Sequence, residues 1–190
     1  MTKSNSSITS MVITLFVITL VASTSLAYIN ELTKDRIAIV KLEKKLNAIR
    51  EVVPEYDNNP QEEMFIVASD LDSLECYPAK KNGQLVGIAI ESYTKKGFSG
   101  IFRLMIGFKP EGNIYSIKVI EHNETPGLGT EMKKPKFKDQ YLDKNPLEFD
   151  LRVKDDGGDV DAITAATISS RAFSDAVQRA FDAWQKGGNK

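Results

Sequence analysis

The chain has 190 residues, 25 basic and 26 acidic side chains and a formal net charge of -1, room for one domain of ordinary size and a terminal segment. Balanced charge gives no basic footprint for nucleic acid and no acidic tail, so no nucleic-acid partner is expected. One cysteine, Cys76, and one histidine, His122, cannot make an internal disulfide or supply the ligands of an iron–sulfur cluster, a zinc site or a covalent haem, so no metal site is expected and any redox chemistry needs another cofactor.

Ser4 to Asn30 carries no charge, and Met11 to Ile29 is dominated by Val, Ile, Leu, Phe and Ala. At about 1.5 Å per residue, a helix of that length crosses the roughly 30 Å hydrocarbon core of a bilayer. Residues 1–30 therefore read as a single N-terminal transmembrane anchor in contact with membrane lipid. The competing reading is a cleaved signal peptide, with Met11 to Ala22 as its apolar region and Ser25-Leu26-Ala27 as its cleavage site. Lys3 precedes the span, whereas Lys34, Arg36, Lys41, Lys44 and Lys45 follow it. That bias alone would keep the following domain cytoplasmic, although long domains translocate despite it.

Residues 31–63 read as a helix and a linker. Ile39, Leu42, Leu46, Ile49 and Val53 recur at alternating spacings of three and four, which predicts an apolar stripe on a helix, packed on its own domain or on a neighbouring membrane helix and ended by Pro54. Asp57 to Glu63, with Asn58, Asn59 and Pro60, is polar and loop-like. A domain is expected over residues 64–190. Its strand-like runs are Glu75 to Lys80, Leu85 to Thr94, Ile101 to Lys109 and Ile114 to Glu121, divided by Asn82-Gly83, Gly97-Phe98-Ser99-Gly100 and Glu111-Gly112-Asn113. Those breaks are turn signals, and the spacing predicts an antiparallel sheet. A loop from His122 to Thr130 and a short helix from Lys136 to Leu142 follow. In the last helix Phe173, Val177, Ala180, Phe181 and Trp184 share one face that is expected to dock on the sheet. The fold class is α+β: an antiparallel sheet with packed helices after one transmembrane helix.

Asp161-Ala162-Ile163-Thr164-Ala165-Ala166-Thr167-Ile168-Ser169-Ser170 immediately precedes that helix and crowds small residues and hydroxyls together. Ser169 or Ser170 is expected to cap the helix, and the free N–H groups of a first turn favour a phosphate beside them. A Ser/Thr-rich helix start with no ligand is the plain alternative at this point. His122 is expected to be structural. Asp155, Asp156, Asp159 and Asp161, interleaved with Gly157 and Gly158, lack the spacing and closing Glu of an EF-hand and read as a solvated loop.

The 161–170 stretch resembles the Ser/Thr-Gly/Ala-Ala-Thr-x-Ser/Thr-Ser signature, with an Asp shortly before it, of a family of FMN-binding domains. That family includes the G subunit of Rnf-type ion-translocating ferredoxin:NAD oxidoreductases and the C subunit of sodium-pumping NADH:quinone oxidoreductases. His122-Asn123-Glu124-Thr125-Pro126-Gly127-Leu128-Gly129 resembles the His-x-Glu-Thr-Pro-Gly-Leu-Gly loop of the same domain, and Gly97-Phe98-Ser99-Gly100 its Gly-aromatic-x-Gly turn. With the order of the motifs and the N-terminal span, the resemblance extends over essentially the whole chain.

The resemblance implies a covalent FMN, joined by a phosphoester to Thr167 within Thr164-Ala165-Ala166-Thr167 by a flavin transferase that uses FAD and for which Asp161 is a recognition residue. Ala165 stands where Gly is frequent, a change that is tolerated unless the backbone needs a positive φ. Glu124, Thr125, Gly127, Leu128 and Gly129 are implied to surround the flavin. The glycines allow close approach of the backbone, Leu128 lies against the ring, and Glu124 and Thr125 offer an acceptor and a hydroxyl. The implied function is an electron-carrying subunit of a membrane-bound oxidoreductase, with no catalytic residue of its own. Its partners are the other membrane and soluble subunits and, during maturation, the transferase. Because that transferase acts outside the cytoplasm, the domain is placed on the periplasmic side of the bacterial inner membrane. No Gly-x-Gly-x-x-Gly follows a strand, so NAD is not expected to bind this subunit. Two alternatives stay open: the C subunit of the sodium-pumping enzyme, whose chains tend to be longer, and a membrane-tethered adaptor domain without flavin.

Overall fold

The computed structural model describes residues 8–68 and 73–188; Lys3 and the first residues of the uncharged stretch lie outside them. It divides into two compact units, Met1–Glu43 and Lys44–Lys190. In the first unit the described residues are helical and exposed throughout, and helix α1 (Ile8–Val52) is long and apolar enough to cross a membrane. Its hydroxyls are satisfied inside the helix: Thr14, Thr19 and Thr24 donate to the carbonyl oxygens of Ser10, Leu15 and Leu20 at 2.8, 2.9 and 2.8 Å. A helix in hydrocarbon, with no water to take those hydrogen bonds, requires this.

The second unit is built on five antiparallel strands in sequence order, β1 (Phe65–Ala68), β2 (Ser73–Lys81), β3 (Gln84–Gly97), β4 (Gly100–Phe108) and β5 (Ile114–Glu121). Strands β2 to β5 lie where the β-branched runs predict them; β1 does not appear in the sequence reading. Asn82 and Gly83, at φ 52° and 77°, form the two-residue loop between β2 and β3, the left-handed pair that matches strand twist in a tight hairpin.

Strict alternation gives the sheet two apolar faces. Ile88, Ile90, Phe102, Leu104, Ile106 and Phe108 point to the face covered by helix α3 (Thr167–Ala183), where Phe173, Val177 and Phe181 are buried with them. All five residues of the predicted stripe, including Ala180 and Trp184, are buried. Tyr77, Ala79, Ala89 and Met105 point the other way, onto Ala48, Ile49, Val52 and Val53. Of the 39–53 stripe, Ile49 and Val53 are therefore buried, while Ile39 and Leu42 are exposed. The compact unit starts at Lys44 rather than near Met64, because the sheet's second face needs an apolar cover and residues 48–53 supply it.

The expected helix from Lys136 to Leu142 is a short helix α2 (Pro135–Lys138) followed by a 3-10 turn at Asp139–Tyr141. Tyr141 is fully buried and shares a 2.9 Å hydrogen bond with Ser174 of α3. Burial pushes the Cys76 thiol up to about 12, which leaves it protonated and inert.

Candidate functional site

The β3–β4 turn, the loop after β5 and the start of α3 meet around one carboxylate. Glu124 is only 4% exposed. Its Oε1 accepts the Ser99 N–H at 3.0 Å, its Oε2 accepts the Ser169 hydroxyl at 2.6 Å, and its own N–H donates to His122 Nδ1 at 3.2 Å. A β-carbon at Gly129 would lie 2.5 Å from Oε2, and one at Gly97 2.7 Å from Oε1 and 2.3 Å from the Gly100 carbonyl oxygen, so the carboxylate takes the space left at Gly129 and part of that left at Gly97. From sequence Glu124 is an acceptor offered to a ligand; here both oxygens are engaged by the protein. With Nδ1 accepting, His122 is a neutral imidazole with its proton on Nε2. Burial, then the nearby Lys133 charge, holds its pKa below the ordinary value, against the opposing pull of Glu124.

Three apolar side chains flank this cluster. Phe98, Leu128 and Ile168 are each next in sequence to a residue that touches Glu124, namely Ser99, Gly129 and Ser169, and they are 67%, 40% and 50% exposed. Each is an exposed large apolar side chain on a segment that Glu124 holds, the kind of surface a flat aromatic ligand covers.

Helix α3 begins at Thr167, with Ala166 in the cap position and no side-chain cap. Ser169 and Ser170, expected as caps, are instead buried inside the first turn. Ser169 bonds Glu124, and Ser170 Oγ accepts the Ile163 N–H at 2.9 Å and donates to the Ala166 carbonyl at 3.0 Å. The helix starts earlier than the hydroxyl pattern implies because those serines find partners on other segments. The first N–H groups of α3 thus lack a side-chain cap at the positive end of the helix dipole. Thr167 is half-buried, and its hydroxyl has no hydrogen-bond partner among the described residues. Just before it, Ala165 sits at φ 60°, the left-handed conformation that glycine adopts freely and alanine does not.

Gly127, Asp161 and Thr164 share a cleft of about 600 Å³ with Lys134, Lys136 and Phe137. The Asp161 carboxylate is exposed and pairs with Lys154 at 2.8 Å; its backbone N–H and carbonyl are held by the Gln140 amide at 2.8 and 3.1 Å. Thr125 lies outside that cleft lining and contributes its carbonyl, which accepts from Leu128 and Thr130 at 3.2 and 3.3 Å. Gly127, at φ 77°, donates its N–H to Thr130 Oγ1 at 2.9 Å. Ala166 is buried and Leu128 stands out from the loop. The acidic loop is tied to the protein: Asp156 receives Arg171 Nε and Nη2 at 2.6 and 2.7 Å, and Asp159 accepts the Asp150 N–H at 2.9 Å. Ser99, Ser169 and Ile168 are site residues that sequence reasoning assigned no role at a ligand.

Residues 97–182 match the family described as FMN-binding domain, a range that holds all three converging segments. The G subunit of the ion-translocating oxidoreductase complex of Aliivibrio fischeri is 33% identical over 183 residues, covering 90% of this chain and 86% of the relative. The chain belongs to the family of ion-translocating oxidoreductase complex G subunits. Other G subunits align similarly: that of Haemophilus influenzae at 34% identity over 158 residues, covering 78% of this chain and 76% of the relative, and that of Stutzerimonas stutzeri at 35% over 162 residues, covering 80% and 70%. Among solved structures, Shewanella oneidensis NqrC is similar at 21% identity and TM-score 0.45, covering 72% of this chain and 65% of that one. The C subunit of the Na(+)-translocating NADH-quinone reductase from Parabacteroides distasonis is similar at 18% identity and TM-score 0.48, covering 74% and 78%.

Proposed function

We propose that this chain is an electron-carrying subunit of a membrane-bound ion-translocating ferredoxin:NAD oxidoreductase complex, with an FMN joined through its phosphate to Thr167 Oγ1. The observation that carries the reading is the position of Thr167: a hydroxyl with no partner among the described residues, at the start of a helix with no side-chain cap. A phosphate esterified there would be held by the first-turn N–H groups and favoured by the positive end of the dipole. The same three segments offer surface for the rest of the group. Phe98, Leu128 and Ile168 offer exposed apolar surface for the ring, and the cleft bordered by Gly127 and Thr164 has room for a ligand of drug size.

Attachment replaces one bond by another. The Thr167 oxygen takes the FMN phosphorus of FAD, the phosphoanhydride bond breaks, AMP leaves, and the hydroxyl proton passes to solvent or a base of the transferase. Asp161, exposed at the same cleft as Thr164, is the residue assigned to recognition by that transferase, and the small side chains of Ala165 and Ala166 leave the approach open. Bound there, FMN supplies the one-electron chemistry that no side chain of this chain possesses. The protein's own part is to hold, orient and partly shield. Extracytoplasmic attachment puts the domain on the periplasmic side of the inner membrane, with α1 in the lipid and the neighbouring subunits as donor and acceptor.

The test is denaturing gel electrophoresis with in-gel flavin fluorescence after co-expression with a flavin transferase, comparing the wild type with Thr167→Val. Fluorescence that survives denaturation in the wild type and vanishes in the variant is expected. A dark wild-type band, with transfer proven on a control substrate, would leave a membrane-tethered adaptor domain.

A further inference from the structure

Glu124 is a buried carboxylate that no cation pairs with among the described residues: its oxygens are held by a backbone N–H and a serine hydroxyl. Such a group is costly to bury unless fully hydrogen-bonded or met by a favourable field. Here the field has an identifiable source. The hydroxyl donor, Ser169, lies in the first turn of α3, where the helix dipole is positive and stabilises a negative charge.

We infer that Glu124 is the positioning residue of the flavin site, the side chain that clasps the start of α3 to the β3–β4 turn. Through Ser169 it fixes the turn that bears Thr167. Through Ser99 it fixes the turn that bears Phe98, and its own backbone belongs to the loop that bears Leu128. The vacancy at Gly129 is filled by Oε2, and that at Gly97 is shared by Oε1 and the Gly100 carbonyl oxygen, so the clasp is sterically committed as well as hydrogen-bonded. The segments that carry Thr167, Phe98 and Leu128 are thereby held in one arrangement, with one carboxylate at their junction. This inference rests on the flavin reading.

Full-length wild type, Glu124→Ala, Glu124→Gln and Ser169→Ala are co-expressed with a flavin transferase in membranes. The rate of appearance of gel-stable fluorescence and the midpoint potential of the purified, detergent-solubilised proteins are then measured. Loss of charge-assisted hydrogen bonds in Glu124→Ala is expected to slow loading about ten-fold, and Ser169→Ala to slow it less. Glu124→Gln keeps the shape and an acceptor, so it loads near the wild-type rate, and its flavin takes electrons at a more positive potential because a repelling charge is gone. A purely structural residue would not move that potential while the gel signal is preserved. Should Glu124→Ala lose its cooperative melt, Ser169→Ala and Glu124→Gln decide the matter. Wild-type loading in Ser169→Ala and Glu124→Ala, or an unchanged potential in Glu124→Gln, overturns the inference while a fluorescent wild type leaves the flavin reading standing. A dark wild type overturns both.

Discussion

The carbonyl oxygen of Val52 occupies the space of the β-carbon that Gly107 lacks: a methyl group there would lie 1.5 Å from it. Val52 is the last residue of α1 and Gly107 is in β4, so the helix end approaches the sheet here over a residue with no side chain. Gly107→Ala is expected to push the two apart, opening the layer of Ala48, Ile49, Tyr77 and Met105, at a cost of about 3 kcal/mol. Thermal unfolding of the detergent-solubilised protein should show a clear fall in Tm; an unchanged Tm would mean that the helix end is not seated there.

Ala165 at φ 60° gives a change in the opposite direction. The left-handed conformation crowds an L side chain, whereas glycine enters it freely. Ala165→Gly is expected to stabilise the protein by about 1 kcal/mol, net of the extra freedom glycine gains when unfolded. The measurement is the same melt, and a lower Tm would count against a left-handed turn at Ala165.

Much of the fold is legible in the residues. Alternating β-branched runs and the Asn82-Gly83 turn give β2 to β5, and the spacing from Phe173 to Trp184 gives the buried face of α3. Strand β1 escapes because Phe65 to Ala68 is only four residues long and forms through pairing with β2, which no local pattern records. The helix start is misread for a related reason: a serine beside a helix reads as a cap by local rules, yet Ser169 and Ser170 are claimed by Glu124 and Ile163 from elsewhere in the chain. Glu124 itself shows the limit most clearly. A Glu in a Gly- and Pro-containing loop reads as exposed, and only the three-dimensional convergence of segments distant in sequence reveals a buried pin.

Lys45 is the hub of a charged cluster at the other face of the sheet. Its ammonium donates to Glu75 at 2.6 Å and Tyr77 at 3.1 Å and lies 2.7 Å from Glu91 Oε2, an ion pair by distance with poor hydrogen-bond direction. Burial alone would lower its pKa, but Glu75, Glu91 and Tyr77 together hold it above the usual lysine value. Lys45→Met removes the cation and leaves two carboxylates facing one another. The expected loss is about 1–2 kcal/mol, below the roughly 3–5 kcal/mol of a fully buried pair, since 28% of the lysine side chain remains exposed. Lys45→Met with added Glu75→Gln should recover part of the loss, and equal Tm values for single and double variants would show that carboxylate repulsion is not the cause.

His122 sets a pH dependence whose sign follows from its geometry. Nδ1 accepts the Glu124 N–H, which requires the neutral ring, and burial followed by the Lys133 charge depresses its pKa, with Glu124 acting in the opposite direction. An unfolded histidine titrates near about 6.5. Below that value the unfolded chain binds more protons than the folded one, so this contribution to stability is complete above it and is lost as pH falls through the folded-state value. Asn in place of His122 can accept the same N–H through its side-chain oxygen but cannot titrate. The Tm difference between wild type and His122→Asn, followed from pH 8 to pH 5 to cancel the shared carboxylate titrations, should be flat above about 7 and should turn against the wild type below about 6.5. Parallel curves across the whole range would mean that His122 protonation leaves the loop undisturbed, and the bond to the Glu124 N–H would then contribute nothing to holding the site together.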